Sequence, residues 1–168
     1  MIARMKGDAD RSSPLDADHA AFIQCGVSVI VASRNAQLVA DVVRGCGCRV
    51  SRDRRQVTVL VEPSRAGTLL EDIAANGRIA VVFSQPSTHR TIQLKGSDAS
   101  IVRVTPADRA VAARHLAAWK QELGSIGYTP ELAAAVRGAG ERIAAIRFTP
   151  SAAFQQTPGP KAGQRLAT

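Results

Sequence analysis

Residues 79–96, IAVVFSQPSTHRTIQLKG, decide the fold. The apolar run Ile79–Phe83 is too short for a helix. It ends at a polar connection carrying Ser84, Gln85, Ser87, Thr88, His89 and Arg90, after which apolar and polar residues alternate to Gly96. This pattern predicts two adjacent strands joined by a loop. With Ile92 and Leu94 facing inward, Thr91, Gln93 and Lys95 point the other way onto a shared polar surface. Most side chains able to hold an anionic ligand lie here or just upstream.

Working upstream, VSVIVA (27–32) is short and β-branched, and Ser33–Ala36 predicts a hairpin turn into Gln37–Val43. Arg44–Cys48 (RGCGC) continues or bends that second strand, with Gly45 and Gly47 where a bulge is tolerated. Val57, Val59 and Val61 alternate with polar neighbours as a strand with one buried face. Pro63 ends it, and Ser64 is the expected N-cap of a helix through Ala66, Leu69, Leu70, Ile73 and Ala74, stopped at Asn76-Gly77. Asp16 is the expected cap of an earlier short helix through Ile23.

Downstream, Thr91–Val104 reads as strand, broken at Gly96. Thr105-Pro106 with Asp108 is a helix start, and Ala112, Leu116, Trp119 and Leu123 form its stripe. Thr129-Pro130 repeats the signal for a shorter helix. A last strand spans Ile143–Phe148, with Ala152–Gln155 as an extension. Residues 1–14 read as a flexible tail, 15–156 as one domain and 157–168 as a Pro/Gly-rich tail. Successive strands with short turns favour a mainly β, α+β architecture, an antiparallel split or closed barrel of about six strands with flanking helices.

At 168 residues the chain suits a single core, and with aromatics at 4% that core must be aliphatic. The net charge of +8 and pI near 10.4 attract an anionic partner: a phosphorylated small molecule, nucleic acid or lipid surface. Stacking aromatics are scarce and arginines are interspersed with acids, which argues against nucleic acid. No apolar run of about eighteen residues suggests a membrane span, no signal peptide is visible, and three cysteines fit a reducing compartment. A cytoplasmic protein is expected.

Ser64 and Arg65 follow a strand where a hydroxyl, a guanidinium and free amides could hold an anion. The alternative is a plain cap and a solvated charge. His89 and Arg90 place positive charge beside a hydroxyl-rich loop. Cys46 and Cys48 read as small buried side chains rather than metal ligands, no metal set is expected, and His19, His89 and His115 have no motif partner. No nucleophile elbow, P-loop or dinucleotide fingerprint is present, and no catalytic acid or base is identified.

Taken together, VSVIVASRNAQLVADVV, VTVLVEPSRAGTLLEDIAANGRIAVVFSQP, HRTIQLKG and FTPSAAFQQTPGPKAG resemble the pyridoxamine 5'-phosphate oxidase-like family of FMN-binding split barrels over residues 20–163. The resemblance implies a homodimer with FMN at the subunit interface and a small-molecule substrate. By position it implies phosphate contacts from Ser64, Arg65 and Arg44, and flavin contacts from Thr91, which follows Arg90, and from Gln93 one pleat on. Ala66 and Val39 stand where the family carries basic residues, and the oxidases' C-terminal Arg- and Trp-bearing segment is not recognisable. The expectation is a divergent FMN-dependent oxidoreductase other than the oxidase itself, substrate unknown. The alternative is a cofactor-binding protein without oxidase turnover that holds haem, through His89 or His19, or a deazaflavin, or carries flavin.

Overall fold

The computed structural model describes residues 15–137 and 142–166, so the expected tail at 1–14 lies outside the described residues. Helix α1 (Ala17–Ile23) is capped by Asp16, whose carboxylate accepts from the His19 amide. Strands β1 (Ser28–Arg34), β2 (Ala40–Val50) and β3 (Val57–Val61) follow, then a 3-10 turn at Pro63–Arg65 and helix α2 (Leu69–Asn76). Strands β4 (Ile79–Ser84), β5 (Thr91–Gly96) and β6 (Ser100–Val102) lead to helices α3 (Pro106–Gly124) and α4 (Pro130–Arg137). Strands β7 (Ala144–Phe148) and β8 (Ala152–Gln155) finish the fold.

All pairings are antiparallel, in the order β6-β7-β3-β2-β1-β4-β5-β8. Among the described residues the sheet therefore has eight strands, two of them short. The stretch after Gly96 breaks at Ser97–Ala99, which frees β6 to pair with β7. Residues 152–155 do not extend β7; they cross to the outer edge of β5.

The sheet curls onto itself. Leu94 of β5 and Phe148 of β7 sit near opposite ends of the strand order, yet both belong to one buried cluster with Val29, Val59, Val81 and Phe83. A Cβ built on Gly96 would lie 2.7 Å from Phe148 Cδ2, so only glycine lets the two ends approach. The bend comes from β2, whose register with β3 shifts between Gly45 and Gly47. Helices α1 and α2 add Phe22, Ile23, Leu69 and Ile73 to the same core. Each such large side chain contributes about 2 kcal/mol by leaving water.

Helix α3 lies outside the barrel, against β2. It starts on the expected capping box of Thr105 and Asp108 and packs Ala112 on Leu60 and Ala145. Its buried stripe is Ala112, His115, Trp119 and Leu123, with His115 in place of the expected Leu116. His115 Nε2 lies 2.9 Å from the Val27 carbonyl, and Trp119 Nε1 donates to Ala133 O at 3.0 Å, tying α4 to α3.

The helix expected from Ser64 starts four residues later. Gly67 adopts φ +52 and interrupts the turn. The Thr68 amide then donates to Asp41 Oδ2 at 2.8 Å, so β2 supplies the carboxylate that meets the start of α2. Ser64 instead donates to Glu62 Oε1 at 2.8 Å. Among the described residues no helix is long and apolar enough to cross a membrane.

Candidate functional site

The strand period that buries Val29, Val31, Val81, Phe83, Ile92 and Leu94 turns their neighbours outward. Register aligns Arg44, Ile30, Val82, Gln93 and Phe154 in one row across β2, β1, β4, β5 and β8. All five are half-buried. A second row, Ser28, Ser84 and Thr91, runs beside it.

Arg44 anchors the β2 end of this face. Its Nη1 donates to Ser28 Oγ at 2.8 Å, and its guanidinium lies 5.7 Å from the centroid of Trp119 on α3. Burial, and then the nearby Arg65 guanidinium, push its pKa below the usual arginine value. The side chain stays charged at neutral pH, since an arginine does not deprotonate in proteins. Arg65 itself is exposed, on the 3-10 turn after β3. Among the described residues, neither arginine is ion-paired to a carboxylate.

The backbone of that turn is already occupied. The Arg65 and Ala66 amides donate to Glu62 O and Pro63 O, so an anion here is met by side chains rather than by a helix N-terminus. Ala66 is buried at 1% exposure, a position where an ammonium would lose its water. The structure thus brings Arg44, Arg65 and Ser64 to one edge of the outward face.

The other candidate residues lie elsewhere. Gln93 shares the row of Arg44 but stands three strand spacings away, about 14 Å. Its Oε1 accepts from Gln156 Nε2 at 3.4 Å. Thr91 is buried; its hydroxyl lies 2.7 Å from Ser84 Oγ and donates to His89 O at 2.9 Å. Arg90 pairs with Asp18 and stacks 4.2 Å from the Phe22 ring centroid, which fastens α1 over the barrel end.

The loop between β4 and β5 is itself folded down. Glu122 of α3 accepts from the Ser87 amide at 2.9 Å and from Gln85 Nε2 at 3.3 Å. Burial would raise the Glu122 pKa, but the Ser87 and Gln85 hydrogen bonds outweigh it and hold the group below the usual carboxylate value. Ser28 and Glu122 were invisible as site neighbours in the sequence, because each acts on a residue brought up by the fold. Cys48, as expected, is a buried thiol, donating to Ile23 O at 2.9 Å, and Cys46 is buried as well.

No protein-family model and no curated protein matches the chain. Among solved structures, HupZ from Group A Streptococcus superposes with a TM-score of 0.52 at 17% identity, over 89% of this chain and 99% of that one. A candidate pyridoxamine 5'-phosphate oxidase from Lactobacillus delbrueckii gives 0.50 at 12% identity, over 83% and 93%. An F420 reductase gives 0.50 at 12% identity, over 83% and 98%. The antiparallel order, the curled, open sheet and these superpositions show a split-barrel fold like that of the pyridoxamine 5'-phosphate oxidase-like proteins.

Proposed function

We propose that this protein is a homodimeric flavin-binding oxidoreductase that holds the phosphate of FMN with Arg44 and Arg65. The observation that carries the reading is the pair itself: two neighbouring guanidiniums with no carboxylate partner among the described residues, one half-buried and fixed by Ser28 and Trp119. Like charges so placed oppose each other, and a phosphate dianion between them reverses that cost with bidentate hydrogen bonds. The Ser64 hydroxyl lies at the same edge but donates to Glu62 Oε1, so it meets a phosphate only by turning away from that carboxylate. The residues present fit the group.

From this edge the outward row leads over Ile30 and Val82 to the Gln93 amide. That path is an apolar bed with one donor and acceptor at its far side, suited to a flat ring. Leu38, Val39 and Val42, at 61–70% exposure, extend the apolar surface at the hairpin tip. A second copy packed on these three side chains, at the hairpin end of the face, would remove them from water and border the site. The flavin, when bound, supplies the hydride or electron transfer. The chain supplies phosphate anchoring, ring placement and water exclusion. A deazaflavin bearing phosphate would use the same anchor. His19 and His89, the candidate haem ligands, lie on α1 and in the β4–β5 loop, off the row of Arg44 and Gln93.

The test is a visible titration of purified protein with FMN, followed by chemical reduction, with F420 and haem in parallel arms. Saturable flavin binding that bleaches and recovers reversibly supports the reading. A protein that takes up no FMN overturns it.

A further inference from the structure

A cleft of about 500 Å³ opens on the outward side of the sheet, where β1 ends and β4 begins. Its floor is built by the register. Ala32, Ala80 and Ala152 share one cross-strand row with Lys95, directly beside the bulkier row of Ile30, Val82 and Phe154. Methyl side chains next to larger ones leave a trough. Arg34, Arg78 and Lys95 line it, with Ser97 and Ser151, and among the described residues no acidic one does.

The cations are placed rather than scattered. Asn76 donates from Nδ2 to the Arg34 carbonyl at 2.8 Å and accepts at Oδ1 from the Arg78 amide at 2.8 Å. One side chain therefore locks the two arginine-bearing backbones side by side. The Lys95 ammonium sits 5.0 Å from the Phe154 ring centroid, held over the sheet. Arg34 Nη1 donates to the Asn35 carbonyl at 3.0 Å. Among the described residues none of the three is ion-paired to a carboxylate.

We infer that this cleft is a second anion site, distinct from Arg44 and Arg65, for a small organic molecule bearing two or more phosphate or carboxylate groups. Lys95 lies three strands and one pleat from Arg44, about 15 Å away, so one phosphate does not bridge the two places. Exposed cations are individually weak in water. An anion that meets several at once, with its apolar body on the alanine floor, gains where a monovalent ion does not.

The test is calorimetric titration of the full-length protein with pyrophosphate and, in a second arm, with citrate, at constant ionic strength. At least one probe binds saturably, and Arg78→Ala/Lys95→Ala weakens it by at least about tenfold. Both positions are exposed, so the fold tolerates the change; Ser151→Glu, which adds a negative charge at the rim, gives the same direction by another route. Arg109→Ala/Arg114→Ala removes equal charge from the exposed side of α3 and leaves binding as in the unaltered protein. A preference for pyrophosphate or citrate assigns the anion class. The inference is overturned by no saturable binding of either probe, or by an equal loss in the α3 control. It is also overturned if the loss follows Arg44→Ala/Arg65→Ala instead, which would put the probe in the proposed flavin site.

Discussion

Arg49 Nε of β2 donates to Asp108 Oδ1 of α3 at 2.6 Å, and the carboxylate is fully buried. The other oxygen accepts from the Thr105 amide at 2.8 Å and from its hydroxyl at 2.7 Å. One side chain thus closes the helix cap and fixes α3 to the strand that carries Arg44. Asp108→Asn is expected to cost about 3 kcal/mol in urea denaturation, through the lost cap and the weakened charge pair.

The same group sets an acid limit. Burial works to raise the Asp108 pKa, but hydrogen bonds from Arg49 and Thr105 outweigh it and hold the group below its ordinary 3.8. A carboxyl depressed in the folded state stabilises that state above its unfolded pKa and loses the contribution as pH falls through the folded value. Stability measured against pH is therefore expected to decline below about pH 4 in the wild type, and less steeply in Asp108→Asn.

Glu122 pins the β4–β5 loop through Ser87 and Gln85. Removing it in Glu122→Ala leaves the Ser87 amide to water, and hydrogen exchange there is expected to speed up about tenfold. The amide of Leu94, in the buried strand that follows, should keep its protection.

Gly26 faces the backbone of α3. A Cβ on it would stand 2.4 Å from the Ala118 carbonyl carbon and 2.7 Å from the Trp119 amide nitrogen, atoms of a helix that cannot rotate away. Gly26→Ala is expected to cost about 2–3 kcal/mol by overpacking, read as a lower denaturation midpoint.

Of the three cysteines, Cys25 is exposed while Cys46 and Cys48 are buried. Burial pushes the Cys48 thiol far up, away from the reactive thiolate. A thiol reagent should label Cys25 rapidly in the native protein and the other two only on denaturation.

What could be read from the sequence was local chemistry. Thr105-Pro106 named its helix because cap, proline and Asp108 all lie within one turn, and the alternation at Ile92 and Leu94 named a strand face that the fold keeps. Ser64 misled as a cap because the decisive groups were Gly67 and a carboxylate at Asp41, on a strand 27 positions before Thr68. Arg90 looked available for a ligand, but Asp18, 72 positions earlier, holds it. His115 did carry a signal, being spaced with Ala112 and Trp119 on one helical face, yet a polar residue does not announce a buried stripe. The closeness of Arg44 and Arg65 follows from the β2–β3 register beyond the bulge, which no composition pattern encodes.

The central claim is that Arg44 and Arg65 grip a phosphate, and it is tested most directly by comparing FMN with riboflavin, which lacks that phosphate, in parallel fluorescence titrations. FMN is expected to bind at least about tenfold more tightly, and Arg44→Ala/Arg65→Ala to bring the two affinities together. Equal affinities for FMN and riboflavin in the wild type, or an FMN preference that survives the double substitution, would contradict it.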